Sequence, residues 1–149
     1  MKQMTTKVWR SDASGEGSAA EQSHSAPQQG SQRPVLLIED DPGMRLMLLM
    51  ALEDAGYEVV LAEHGRDGQR QMAQVRPRLI LLDMRMPVMD GPAFLHWLYS
   101  QIGQPPPVIL MTAYHDVDPA VKQLGLPTVS KPMRIDDLLE LIRHHAEPS

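Results

Sequence analysis

The chain has 149 residues, 42% of them hydrophobic, a formal net charge of -5 and no cysteine. That is about one domain's length with enough apolar content for a core, and without cysteine there are no disulfides, thiolate metal sites or thiol chemistry. Residues 34–149 hold 16 of the 19 Asp and Glu but 10 of the 14 Lys and Arg, so direct nucleic-acid binding, which needs a basic face, is not expected. No run approaches the ~18 consecutive apolar residues of a membrane span, and the polar N-terminus lacks a signal-peptide layout. A cytoplasmic protein with no membrane insertion is expected.

Residues 1–33 are dominated by Ser, Gln, Gly and Ala, with Val8 and Trp9 almost the only bulky apolar groups. Such a segment buries too little surface to offset its chain entropy and is read as a disordered tail, with Val8 and Trp9 as an alternative docking segment. The domain is expected over 34–149. There short apolar runs alternate with helical patterns: Val35–Ile38, Val59–Leu61, Leu79–Leu82, Val108–Met111 and a weaker run at Thr128–Ser130 predict five strands. Between them, Met44, Met47, Leu48 and Leu52 recur at helical spacing, Gln69–Val75 forms a shorter helical piece, and Phe94, Leu95 and Leu98 mark a third. Asp118 and Pro119 cap a fourth that Gly125 ends after barely two turns, and Ile135–His145 is the fifth. The alternation predicts an α/β fold, a doubly wound (βα)5 parallel sheet in three layers. Core packing is expected of Met44, Met47 and Met50, and interaction with the helix dipole of His144 and His145.

In an open parallel sheet, ligands bind beyond the carboxyl ends of the strands. The first strand ends in Glu39, Asp40 and Asp41, the third in Asp83, the fourth in Thr112 and the fifth in Lys131 before Pro132. Brought together, these are hard oxygen donors for a divalent cation, one ammonium and one hydroxyl, a set suited to phosphoryl transfer assisted by Mg2+.

At these residues the chain resembles the receiver domain of two-component response regulators, through Leu37-Ile-Glu-Asp-Asp-Pro-Gly-Met-Arg45, Leu81-Leu-Asp-Met-Arg-Met-Pro-Val-Met-Asp-Gly91, Met111-Thr-Ala113 and Ser130-Lys-Pro132. The resemblance spans about residues 33–146 and implies a flavodoxin-like fold. It implies that Asp83 accepts the phosphoryl group, that Asp40 and Asp83 bind Mg2+ directly, that Glu39 acts mostly through a water, and that the main-chain carbonyl of Arg85 completes the protein ligands. Thr112 would donate to the phosphoryl group and Lys131 would pair with Asp83 or its phosphate, with a cis bond before Pro132. Asp41 is read as a neighbour and not a ligand, and Asp90 and Gly91 as turn and helix-start residues.

The family implies a sensor histidine kinase or a histidine phosphotransfer protein as donor, an output protein as partner, and no turnover beyond the domain's own phosphorylation and dephosphorylation. A stand-alone receiver is expected. A phosphorylation-independent adaptor is one alternative. A haloacid-dehalogenase-type phosphatase is another, and would want an acid where Arg85 stands. Three features depart from the family pattern: Thr128 occupies a position commonly held by a large aromatic, the interval from Thr112 to Lys131 is short, and Arg85 and Tyr114 put large side chains two residues past Asp83 and Thr112.

Overall fold

The first four strands form because each carries four consecutive apolar, mostly branched residues, suited to a sheet covered on both faces, whereas the fifth, Thr128–Lys131, buries Val129 alone. A computed structural model describes residues 33–113 and 118–146. The tail expected over 1–33, Arg33 excepted, and Tyr114 lie outside the described residues. The elements run β1 (Val35–Ile38), α1 (Pro42–Asp54), β2 (Val59–Ala62), α2 (Gly65–Met72), β3 (Leu79–Asp83), α3 (Gly91–Gln101), β4 (Val108–Ala113), α4 (Pro119–Lys122), β5 (Thr128–Lys131) and α5 (Ile135–Ala146). All five strands are parallel, in the order β2-β1-β3-β4-β5, with Val35 opposite Val59 and Leu79, Ile80 opposite Val108, and Leu110 opposite Thr128. This is the doubly wound, flavodoxin-like arrangement expected from the sequence.

Alternation along the strands divides the interior into two cores. Val35, Leu37, Leu79, Leu81, Ile109 and Met111 meet Leu48 and Leu52 of α1 and Leu138 and Ile142 of α5. On the opposite face Leu36, Ile38, Ile80, Leu82 and Leu110 meet Phe94, Leu95 and Leu98 of α3 and Val121 of α4. Each fully buried Leu or Ile contributes roughly 1.5–3 kcal/mol relative to exposure.

Three helices start by one device. Asp41, Asp90 and Asp118 are N-caps whose carboxylates accept from the amides of Met44, Ala93 and Ala120, each with a proline in the first two helical positions. Asp90 and Gly91 thus have the structural role read for them. The fourth helix is short and ends before the positive φ of Gly125, as expected, though after a single turn and not barely two.

Two expectations fail. The second helix begins at Gly65, four residues before the predicted Gln69, and ends at Met72 instead of Val75. Its cap is His64, whose Nδ1 accepts from the Asp67 amide while Asp67 accepts from the amide of Glu63. Histidine is outside the usual capping set, so the polar run ahead of Gln69 carried no start signal. Of the methionines, Met44 packs against the core, but Met47 and Met50 are 42% and 61% exposed, beside Leu46 at 56%. Steps of three residues fall short of a 3.6-residue turn, so the series rotates by roughly 60° per step away from the face that Leu48 and Leu52 define.

The loop between β3 and α3 is closed on itself. Met84 donates to Met111 across the sheet, Gly91 donates back to the Met84 carbonyl, and Gly65 at the start of α2 donates to Met89. Val88, with φ 70, sits at the tip, where Met89 donates to Pro87 two residues back. That is a γ-turn of the strained, positive-φ form. A Cβ on Gly91 would come within 2.7 Å of Met84 Cα and 2.9 Å of the Asp83 carbonyl oxygen, both main-chain atoms; one on Gly68 would meet the movable Ile38 Cδ1 at 2.7 Å; one on Gly103 would meet nothing within 4 Å. Gly91→Ala is therefore expected to cost about 1–3 kcal/mol, Gly68→Ala less, and Gly103→Ala under about 0.5 kcal/mol, measured by urea denaturation. Equal losses at all three would contradict this account of the loop.

Candidate functional site

The end of β1 is held in the sheet by the Glu39 amide, which donates to Ala62 at 3.0 Å. The chain then turns into α1. Glu39 folds its carboxylate back to accept from the Asp41 amide at 3.1 Å, and Asp41 caps the helix through Met44 at 2.7 Å. Asp41 is thus a structural neighbour. Asp83 ends β3 one register step beyond the pair Leu82 and Ile38, which brings it beside the acidic turn. Ligand oxygens of Glu39, Asp40 and Asp83 all lie within 4.8 Å of one another.

Lys131, at the end of β5, reaches this cluster. Its Nζ is 3.0 Å from Glu39 Oε1 and 3.1 Å from Asp83 Oδ1. The peptide bond to Pro132 is cis, as the resemblance implies. Thr112, buried at the end of β4, donates its hydroxyl to the Ala113 carbonyl at 3.2 Å. The Arg85 amide approaches Asp83 Oδ1 at 3.5 Å, so the segment carrying the Arg85 carbonyl runs alongside the carboxylate. The sequence-predicted residues are therefore gathered at the carboxyl ends of β1, β3, β4 and β5, at the point where strand order reverses.

Electrostatics sets the character of the cluster. Glu39 is fully buried and Asp83 is 4% exposed. Burial first, then repulsion from Glu39, push the Asp83 carboxyl from its ordinary 3.8 up to about 7; the Lys131 charge opposes this and a hydrogen bond with Asp40 adds to it. Burial also works against the Lys131 ammonium, but its hydrogen bond to Glu39 and the charges of Asp83 and Glu39 outweigh that and raise its pKa above the ordinary 10.5. Three converging carboxylates against one ammonium leave excess negative charge in a low-dielectric place. Such a donor set of hard, anionic oxygens fits a small divalent cation like Mg2+.

One residue given no role by its place in the sequence also enters the site. Arg45 Nη1 donates to the main-chain carbonyls of Glu39 at 2.9 Å and Asp40 at 3.2 Å. A signal for it existed: a cation in the first turn of a helix opposes the macrodipole and so calls for a local acceptor.

Comparison with known proteins agrees with this geometry. The chain is 32% identical over 114 residues to sporulation initiation phosphotransferase F of Bacillus subtilis (strain 168), covering 74% of this chain and 91% of that protein. It is 37% identical over 107 residues to the regulatory protein AtoC of Escherichia coli (strain K12), covering 70% of this chain but 23% of AtoC, so it spans about a quarter of that longer regulator. The receiver domain of the sensor histidine kinase PA1611 from Pseudomonas aeruginosa PAO1, solved with a magnesium ion coordinated in its active-site cleft, is similar with a TM-score of 0.69 and 27% identity, covering 76% of this chain and 97% of that one. Chemotaxis protein CheY4 of Vibrio cholerae is similar with a TM-score of 0.66 and 30% identity, covering 76% and 98%. The family model described as the response regulator receiver domain matches residues 35–143, from the first strand into the last helix, and the chain belongs to that family.

Proposed function

We propose that this receiver is a cytoplasmic, phosphoryl-accepting switch of a two-component phosphorelay. Asp83 takes a phosphoryl group from a phosphohistidine on a sensor kinase or a histidine phosphotransfer protein, and the modified domain, running from residue 34, changes its affinity for a partner. The observation that carries this reading is the Lys131 ammonium set between Glu39 and Asp83 within a three-carboxylate cluster.

Chemically, an Asp83 oxygen forms the new O–P bond while the P–N bond to histidine breaks, and the leaving imidazole nitrogen keeps the bonding pair and takes up a proton. Asp40, Asp83 and the Arg85 carbonyl are the proposed protein ligands of Mg2+, with Glu39 acting through a water. The ion, when bound, neutralises charge as the phosphoryl group arrives. Lys131 supplies a fixed positive charge opposite the same oxygens, and Thr112 exchanges its local carbonyl acceptor for a phosphoryl oxygen. No external substrate is turned over beyond the domain's own phosphate, and the product is a shift between two conformational states that a partner reads.

Incubation with Mg2+ and acetyl phosphate is expected to add one phosphoryl group by intact mass, a gain absent when EDTA replaces Mg2+ during the incubation and absent in Asp83→Asn. No gain in the parent protein, together with no binding of beryllofluoride, would sink the reading.

The raised Asp83 pKa gives two pH dependences. Protons compete with the cation for Asp83, so Mg2+ affinity is expected to fall on acidification through about pH 7 and to level off above it. A carboxyl whose folded pKa exceeds its unfolded value takes up a proton on folding, so the metal-free protein loses stability as pH rises from about 4 to 7. Asp83→Asn removes that loss. In EDTA it is expected to exceed the parent's stability at pH 8 by on the order of 2 kcal/mol, with the gap narrowing towards pH 5.

Arg85 and Tyr114 stand two residues past Asp83 and Thr112, where large side chains hinder an attacking water. Arg85→Ala and Tyr114→Ala are expected to shorten the phosphoryl lifetime, followed by loss of the phosphorylated mass with time; unchanged decay in both would remove that role.

A further inference from the structure

We infer that Arg45 is a positioning residue for the metal-binding pair, locking the β1–α1 turn so that the Asp40 carboxylate faces Asp83. This rests on the function proposed above and concerns how that site is built.

The turn from β1 to α1 has a backbone gap. The Glu39 amide makes the last sheet bond, to Ala62, and the first helical bond of α1 runs from the Arg45 amide to the Asp41 carbonyl at 2.8 Å. Between them lie the carbonyls of Glu39 and Asp40, at positions where neither ladder nor helix supplies a regular donor. Arg45 fills the gap with a single nitrogen. Nη1 carries two hydrogens, and its 2.9 Å and 3.2 Å contacts place one acceptor for each. The side chain of a residue in the first helical turn points back toward the helix N-terminus, which aims Arg45 at this turn.

Tying both carbonyls to one nitrogen fixes the two peptide planes that flank the Asp40 Cα. Turning either plane would swing the Asp40 carboxylate away from the cluster it shares with Glu39 and Asp83. The opposite end of the turn is held separately, by Glu39 on the Asp41 amide and Asp41 on the Met44 amide. Arg45 therefore restrains the peptide plane between Glu39 and Asp40, which those bonds do not reach, and adds a second hold on the plane between Asp40 and Asp41.

The sign of the metal response separates this role from a purely electrostatic one. Arg45 adds positive charge near an anionic site, so deleting it acts by charge alone to tighten cation binding. Loss of positioning acts the other way, and removal of groups that orient metal ligands commonly weakens binding 10- to 100-fold. Mg2+ dissociation constants are to be measured by calorimetry at 25 °C for the parent, Arg45→Met and Arg45→Lys, alongside melting temperatures in EDTA. Arg45→Met, which keeps the apolar stem, is expected to weaken Mg2+ about tenfold or more. Arg45→Lys, which keeps the charge and loses the planar head, is expected to lie between it and the parent.

A folded Arg45→Met variant that binds Mg2+ as tightly as the parent, or tighter, overturns the inference, and so does a lowered melting temperature with an unchanged dissociation constant. Should Arg45→Met fail to fold, Arg45→Lys decides: weaker binding at retained charge supports positioning, and parental binding refutes it. A parent protein that binds no Mg2+ brings down the proposed function and this inference together, whereas a parent that binds beside an unaffected variant brings down the inference alone.

Discussion

The ammonium of Lys131, 3.0 Å from Glu39 and 3.1 Å from Asp83, joins the ends of three strands into one electrostatic unit. In the order β2-β1-β3-β4-β5 it must cross the end of β4 to do so. At about 4.8 Å per strand, β5 stands roughly 10 Å from β3 and roughly 14 Å from β1. A long, flexible side chain ending in a compact charge meets that requirement, and strand twist brings the ends closer than the spacing alone. Without the lysine, the buried carboxylates of Glu39 and Asp83 would face each other without the ammonium that both contact. With it, burial first and repulsion from Glu39 second still hold the Asp83 carboxyl well above its ordinary range, a deficit that under the proposed function a divalent cation relieves.

Holding carboxylates in mutual repulsion requires that their backbones not yield. The N-cap carboxylates of Asp41 and Asp90 tie the first helical turns that follow β1 and β3, while Gly91 and Gly65 let the β3–α3 loop fold close against Met84 and Met89. Main-chain contact at these glycines is the reason the loop beside Asp83 cannot drift. The positive φ of Val88 is the local cost, about 1–2 kcal/mol for a side-chain-bearing residue, offset by the bonds around it.

Much of this was legible in the chain because it depends on local chemistry. Continuous apolar runs located four strands to within two residues and a weaker run the fifth, while Asp90 with Gly91 and Asp118 with Pro119 marked the starts of two helices. The carboxylates at Glu39, Asp40 and Asp83 were legible as a set because topology alone carries strand ends to one edge. What escaped depends on groups whose partners are set only in three dimensions. His64 caps α2 through a ring nitrogen, which composition does not announce. Met47 and Met50 look like core residues until the true face of α1 is fixed by Leu48 and Leu52. Arg45 gains its role from two carbonyls that become donor-poor only once β1 ends and α1 begins where they do.

The output side follows from the same frame under the proposed function. Thr112 and Asp83 sit on adjacent strands, so a phosphoryl group on Asp83 would draw the Thr112 hydroxyl from the Ala113 carbonyl and pull on the β4–α4 segment. In a family member with a large aromatic at position 128, such a pull is matched by a bulky ring changing places at the edge strand. Here Thr128 is exposed, with its hydroxyl donating to the Leu126 carbonyl, and it has too little volume to leave a cavity or fill one. The element next along the chain that is described is the single turn of α4, whose anchor in the core is Val121. A short helix with one buried anchor costs little to displace, so under the proposed function a modest interaction at Asp83 can shift its position.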